Sequence, residues 1–330
     1  MPTRPPLPTP VPSEEVERAV RGCLAGISPQ RITQAAQEMK VCLDDSSLAQ
    51  GENYGARTFA VEGELPVMLL GLLGPDCRFT YEYLAWWRDG GWQVQYLTPQ
   101  LPLCDYTLFA SPPSTPAARQ LDAPDGVRLV VINTVHCCGS APSASLLLLG
   151  LHAAGWQIVW DGEKSDMANL SHREVEFVDE GIDLIKVRGD SWFYADEKKD
   201  IFNEGNPGPH RHFEETWTLQ EDGYVRLEHR VVPSAYNTLV EFVYRLSTGD
   251  ELGAGALVVD PSLLAAAKAL GVVQSPLGQR WMTNLEPTTE CCGPIYITDG
   301  LPQQVKVSFV QSGDGWQLSE MKAERYQPPY

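Results

Sequence analysis

Positive charge is scarce in this sequence. Its 25 lysines and arginines stand against 43 aspartates and glutamates, a formal net charge of −18. A surface of that sign repels phosphate backbones and anionic membranes, which argues against nucleic acid as a partner. Long hydrophobic runs are missing too. The longest, Leu146 to Leu151 with its flanks, has the length of a strand, against the roughly 20 apolar residues of a membrane helix. No phosphate-binding glycine loop, nucleophile elbow or metalloprotease helix occurs, so the common nucleotide, serine-hydrolase and zincin signatures are absent. No Cys-x-x-Cys spacing marks a zinc site. From Pro233 to Tyr330 there is no histidine, so that stretch holds no Asp–His pair for acid–base work. What remains is globular in composition, 43% hydrophobic and 21% charged over 330 residues, enough for two domains with their own cores.

Cysteine is plentiful. Cys23 and Cys42, then Cys77 and Cys104, are separated by spans that a helix-loop or hairpin closes, and Cys137, Cys138, Cys291 and Cys292 form two adjacent pairs. An even count without metal spacing reads as disulfides in an oxidising compartment, with Cys77 bonded to Cys104 across a strand pair. The alternative is a cytoplasmic chain whose cysteines are free, small hydrophobes.

Along the chain, Met1 to Pro12 holds proline at six positions and reads as an extended tether. It has no basic segment followed by an apolar one, so no signal peptide is expected in this stretch. Ser13 to about Leu48 has ragged helical periodicity. From Ala56 the period is that of strands, continuing to residue 232 as a β-rich repeat module, either propeller-like or a stack of antiparallel sheets. Gly91-Trp92-Gln93-Val94, Gly155-Trp156-Gln157-Ile158 and Gly315-Trp316-Gln317-Leu318 are near copies. Each fits a strand leaving a tight turn with a tryptophan to bury. Pro233 opens a third region with a clear helix. Ser234 suits the N-cap, Tyr236, Leu239, Val240, Val243 and Tyr244 make one apolar face, and Gly249 suits a left-handed stop. Glu241 and Arg245, four apart on the polar side, are expected to face solvent. Two short helices come next, Leu252 to Val259 and Ser262 to Leu270, then strands at Trp281 to Leu285, Ile295 to Thr298, Gln304 to Val310 and Trp316 to Ala323.

That order, a long amphipathic helix, short helices and a curved antiparallel sheet, resembles the nuclear transport factor 2-like α+β cone over residues 233–330. The resemblance implies a pocket between helix and sheet, with Tyr236, Tyr244, Trp281, Phe309 and Trp316 as lining. Val178-Asp179-Glu180-Gly181-Ile182-Asp183-Leu184 resembles a degenerate calcium turn of integrin-type propeller repeats, with too few carboxylates to hold the metal. The Pro/Thr tether resembles the start of a mature bacterial surface lipoprotein with a lipid anchor upstream.

The reading is therefore a mixed fold: tether 1–12, β-rich module 13–232, α+β cone 233–330. Its expected function is non-catalytic binding of a small molecule, glycan or protein at the cell surface, without a cofactor. The alternative is a metal-dependent hydrolase on His210, His212 and His229, since alternate strand positions put the first two on one face.

Overall fold

The computed structural model describes residues 13–46, 55–73, 80–97, 106–107, 118–123, 126–135, 143–178, 182–190, 198, 201–202, 209–272, 282–285, 294–299, 301 and 303–325. The tether, the Cys77/Cys104 pair, both adjacent cysteine pairs, residues 179–181 of the suggested calcium turn and Trp281 lie outside them. The fold is β-rich, with four antiparallel sheets and few helices. The chain divides into two compact units. The first takes residues up to 168 with 172–186 and 217–225; the second takes 169–171, 187–216 and 226–330. The second therefore begins well before Pro233.

In the first unit, helices α1 (Ser13–Leu24) and α2 (Ile32–Asp44) precede a meander of β1 (Gly55–Val61), β2 (Val67–Leu73), β3 (Thr80–Arg88) and β4 (Gly91–Tyr96). The alternation of β2 decides its packing. Met68, Leu70 and Leu72 meet α1 and α2 on one face, while Val67 and Leu69 enter a second core on the other. That second core is shared with β7 (Gly126–Val135), β8 (Ser143–His152) and β9 (Gly155–Asp161), so the two sheets stack. β5 (Tyr106–Thr107) and β6 (Ala118–Ala123) both pair with β7. Gln95 ties the stack: its side-chain amide accepts from Trp156 N–H at 2.8 Å and donates to Trp156 O at 2.6 Å. All three Gly-Trp-Gln copies open the second strand of a hairpin.

Cys23 and Cys42 are joined by a disulfide, with 5.7 Å between their α-carbons, which staples α1 to α2. A bridge closing a loop of this size restricts the unfolded chain by about 3 kcal/mol.

The third sheet runs β10 (Ser171–Phe177), β11 (Leu184–Asp190), β12 (His212–Gln220) and β13 (Gly223–Val231). The division into units cuts across these strands. In the second unit α3 (Ala235–Thr248) begins where expected: Ser234 Oγ accepts from Asn237 N–H at 3.0 Å. It ends on Gly249, whose φ of 83° only glycine adopts at little cost. The short helices are α4 (Glu251–Gly255), shorter than the sequence suggests, and α5 (Ser262–Ala269). The strands β14 (Met282–Leu285), β15 (Ile295–Asp299), β16 (Val305–Ser312) and β17 (Gly315–Ala323) then pair in sequence order. Leu239, Val240, Phe242 and Val243 of α3 share one core with Ile295, Ile297, Val305, Val307 and Leu318 of that sheet. Helices leading into a four-stranded meander thus occur twice in the chain.

Glu241 departs from expectation. It is half-buried, accepting from the Lys198 ammonium and from Arg245 Nε at 2.7 Å. Helical spacing reveals Arg245 but not Lys198, which tertiary folding supplies. Burial pushes the Glu241 carboxyl up, but the hydrogen bonds and charges of Lys198 and Arg245 outweigh it and hold the pKa below the usual carboxylate value. A depressed folded-state pKa contributes stability above the unfolded value, about 4.3, that is lost as pH falls through the folded one. The melting-point gap between the native chain and Glu241→Gln should be widest above about pH 5 and close toward pH 3. A gap independent of pH across that window would contradict this account.

Candidate functional site

A concavity lies in the first unit, at the turn joining β12 to β13. Its volume is about 380 Å³, and it is lined by Trp160 and residues 220–225. Trp160 is the penultimate residue of β9, and the turn after that strand fixes its position. Asp161 accepts from Glu163 N–H at 3.0 Å, which bends the chain directly after β9. Glu163 pairs with Arg173, which is buried and donates to Ala144 O at 2.8 Å and Met167 O at 3.1 Å. The indole lies edge-on to Trp217, with ring centres 6.3 Å apart, and tilted to Tyr224 at 5.5 Å.

Two features of the hairpin shape the opposite wall. Gly223 has a φ of 141°, and a β-carbon there would overlap the Trp160 ring. Only glycine lets this backbone lie against the indole. Tyr224 is buried, and its hydroxyl donates to Ile182 O at 2.5 Å. Burial, with a lesser contribution from Asp183, pushes the phenol well above its usual pKa, so it stays a neutral donor. Glu221 and Asp222, both exposed, bring carboxylates to the rim. Arg128 reaches this hairpin through the backbone, its Nη1 donating to the Glu221 carbonyl at 2.8 Å. An indole beside carboxylates suits a ligand with a flat or methylated cationic group.

The aromatic residues and histidines singled out from sequence lie in the second unit. Tyr236 is buried against Phe202, ring centres 5.9 Å apart, and Phe309 and Trp316 pack on the same core. Tyr244 is half-buried, with the Lys198 ammonium 5.3 Å from its ring centre. The histidines are engaged separately. His212 is exposed, His210 Nδ1 is 3.9 Å from Asp190, and His229 Nδ1 is 2.8 Å from Glu215. Among the described residues no group of three or more His, Cys, Asp or Glu side chains is placed to hold a metal ion.

The carboxylates beside those histidines are what the sequence reading passed over. Glu215 is fully buried and also accepts from Arg226 Nη1 at 2.9 Å. Its neighbour Glu214, also buried, accepts from Arg188 Nε at 3.1 Å and from Arg230. Phe213 stacks on His229 at 5.0 Å. The available signal was two adjacent acids in a strand, which must face opposite sides of the sheet, with arginines at 226 and 230 on the strand after it. Compared with known families and curated proteins, the chain matches no family model and no curated sequence.

Proposed function

We propose that this chain is a non-catalytic extracytoplasmic binding protein, the mature part of a bacterial surface lipoprotein, whose ligand is a small molecule bearing a substituted ammonium group. The observation that carries the reading is the Trp160 concavity, whose lining brings an indole together with Glu221 and Asp222. A methylated cation gains from the ring's negative face and from the carboxylates together, and it is desolvated cheaply. The Cys23–Cys42 disulfide supports an oxidising compartment. The helix-on-sheet order of 235–323 supports the nuclear transport factor 2-like reading of the C-terminal part, and the stacked meanders of the first unit support the repeat reading of the part before it.

Calorimetric titration with benzyltrimethylammonium, and with methyl glucoside as a neutral comparator, tests the proposal on the full chain. The cation is expected to bind and Trp160→Ala to lose at least about tenfold in affinity, the size of a desolvated cation–π contact. Equal binding of the sugar, or cation binding indifferent to Trp160, would overturn the ligand class. Stoichiometric zinc in the purified protein would favour the hydrolase reading instead.

A further inference from the structure

We propose that two copies of this chain associate through the outer edge of β13, paired antiparallel about His229. β13 ends its sheet, with β12 as its sole strand neighbour among the described residues. An edge strand offers unpaired N–H and C=O groups to a second chain unless lysine, proline or a cover blunts it. Gly223–Val231 contains neither lysine nor proline. Three of its apolar side chains are open to solvent, Val225 at 45%, Leu227 at 62% and Val231 at 47%. All three occupy odd-numbered positions, so they share one face of the strand.

The direction of the backbone groups is given by one hydrogen bond. Val232 N–H donates to His212 O at 2.8 Å, so residue 232 is turned toward β12. Strand alternation then turns the peptide groups of Val231, His229 and Leu227 outward. A two-fold axis at His229 lets the outward groups of 229 bond their own counterparts, and those of Leu227 bond Val231 of the second copy. Side chains directly opposite share a face. One face therefore sets Leu227 against Val231 and its mirror pair, with the two His229 rings between them. The other face sets Glu228 against Arg230, twice.

Charge selects this register. An axis at Glu228 would oppose Glu228 to itself and Arg226 to Arg230. An axis at Leu227 would ask Arg226 to meet Glu228, but Arg226 is drawn onto the buried Glu215 at 2.9 Å. Arg230, although it contacts Glu214, keeps 60% of its side chain exposed. Glu228 is exposed as well. The contact is isologous and closes on itself, so it yields a dimer and no fibre.

Sedimentation equilibrium of the full chain between about 1 and 200 μM tests the proposal. The native protein is expected to show a monomer–dimer equilibrium in that range. Leu227→Lys and, separately, Glu228→Arg should each weaken association tenfold or more, with the far-ultraviolet circular dichroism of the monomer unchanged. Both side chains are exposed, so neither change threatens the fold. A monomer at every concentration would overturn the proposal, as would a dimer whose dissociation constant both variants leave unchanged.

Discussion

Val243→Asp is expected to destabilise the second unit by on the order of 4 kcal/mol or more, enough to unfold it at room temperature. Val243 is 0% exposed, in the middle of the α3 face that covers Val305, Val307 and Leu318. The substitution removes apolar burial worth about 1.5–3 kcal/mol and leaves a carboxylate to be neutralised or exposed. The glutamate two positions earlier is tolerated because it is only half-buried and both Lys198 and Arg245 reach it. Near-ultraviolet circular dichroism and urea titration of the full chain measure the effect. A loss under about 1 kcal/mol would mean that α3 does not lie on the sheet as described.

Glu215→Ala is the second large change, expected to cost about 3–5 kcal/mol. Its carboxylate is inaccessible and bonded to Arg226 and His229, so truncation leaves a guanidinium and an imidazole facing a cavity. The diagnostic is the double variant. Glu215→Ala with Arg226→Leu removes both members of the ion pair and should recover a large part of the loss, because replacing a pair is far cheaper than breaking one. Additive losses, or a Glu215→Ala variant as stable as the native chain in urea, would show that the pair carries no such coupling.

The histidines show how far strand spacing reaches at that site. His210 and His212 alternate as a strand requires, but alternation says only which residues share a face. It says nothing of what the adjacent strands bring. β11 supplies Asp190 and Arg188, and β13 supplies His229, Arg226 and Arg230. His210 and His229 each meet a carboxylate. The suggested ligand-lining aromatics met the same ambiguity. A tyrosine on an apolar helix face reads alike whether it borders a pocket or, like Tyr236, packs on Phe202 from a distant segment.

Local chemistry alone determined much of this protein. Ser234 and Gly249 bound α3 because one hydroxyl caps and one glycine turns left-handed, interactions that span only a few residues. The hairpins at residues 89–91, 222–223 and 313–315 are set by their turn residues, and the apolar period of 235–246 marked the buried face before any partner was known. The span between Cys23 and Cys42 was one that a helix-loop could close, but the pairing itself is given by the fold. Tertiary structure decided the rest: that the second unit draws in residues 187–216, that Lys198 reaches Glu241, that Glu214 and Glu215 are buried among arginines, and that Trp160 lies against Gly223 to leave a cavity. The reason is common to all four. A turn or a cap is satisfied by atoms its own segment supplies, whereas a buried charge or a cavity wall is completed by residues tens of positions away, and strand spacing carries no record of which strand will lie alongside.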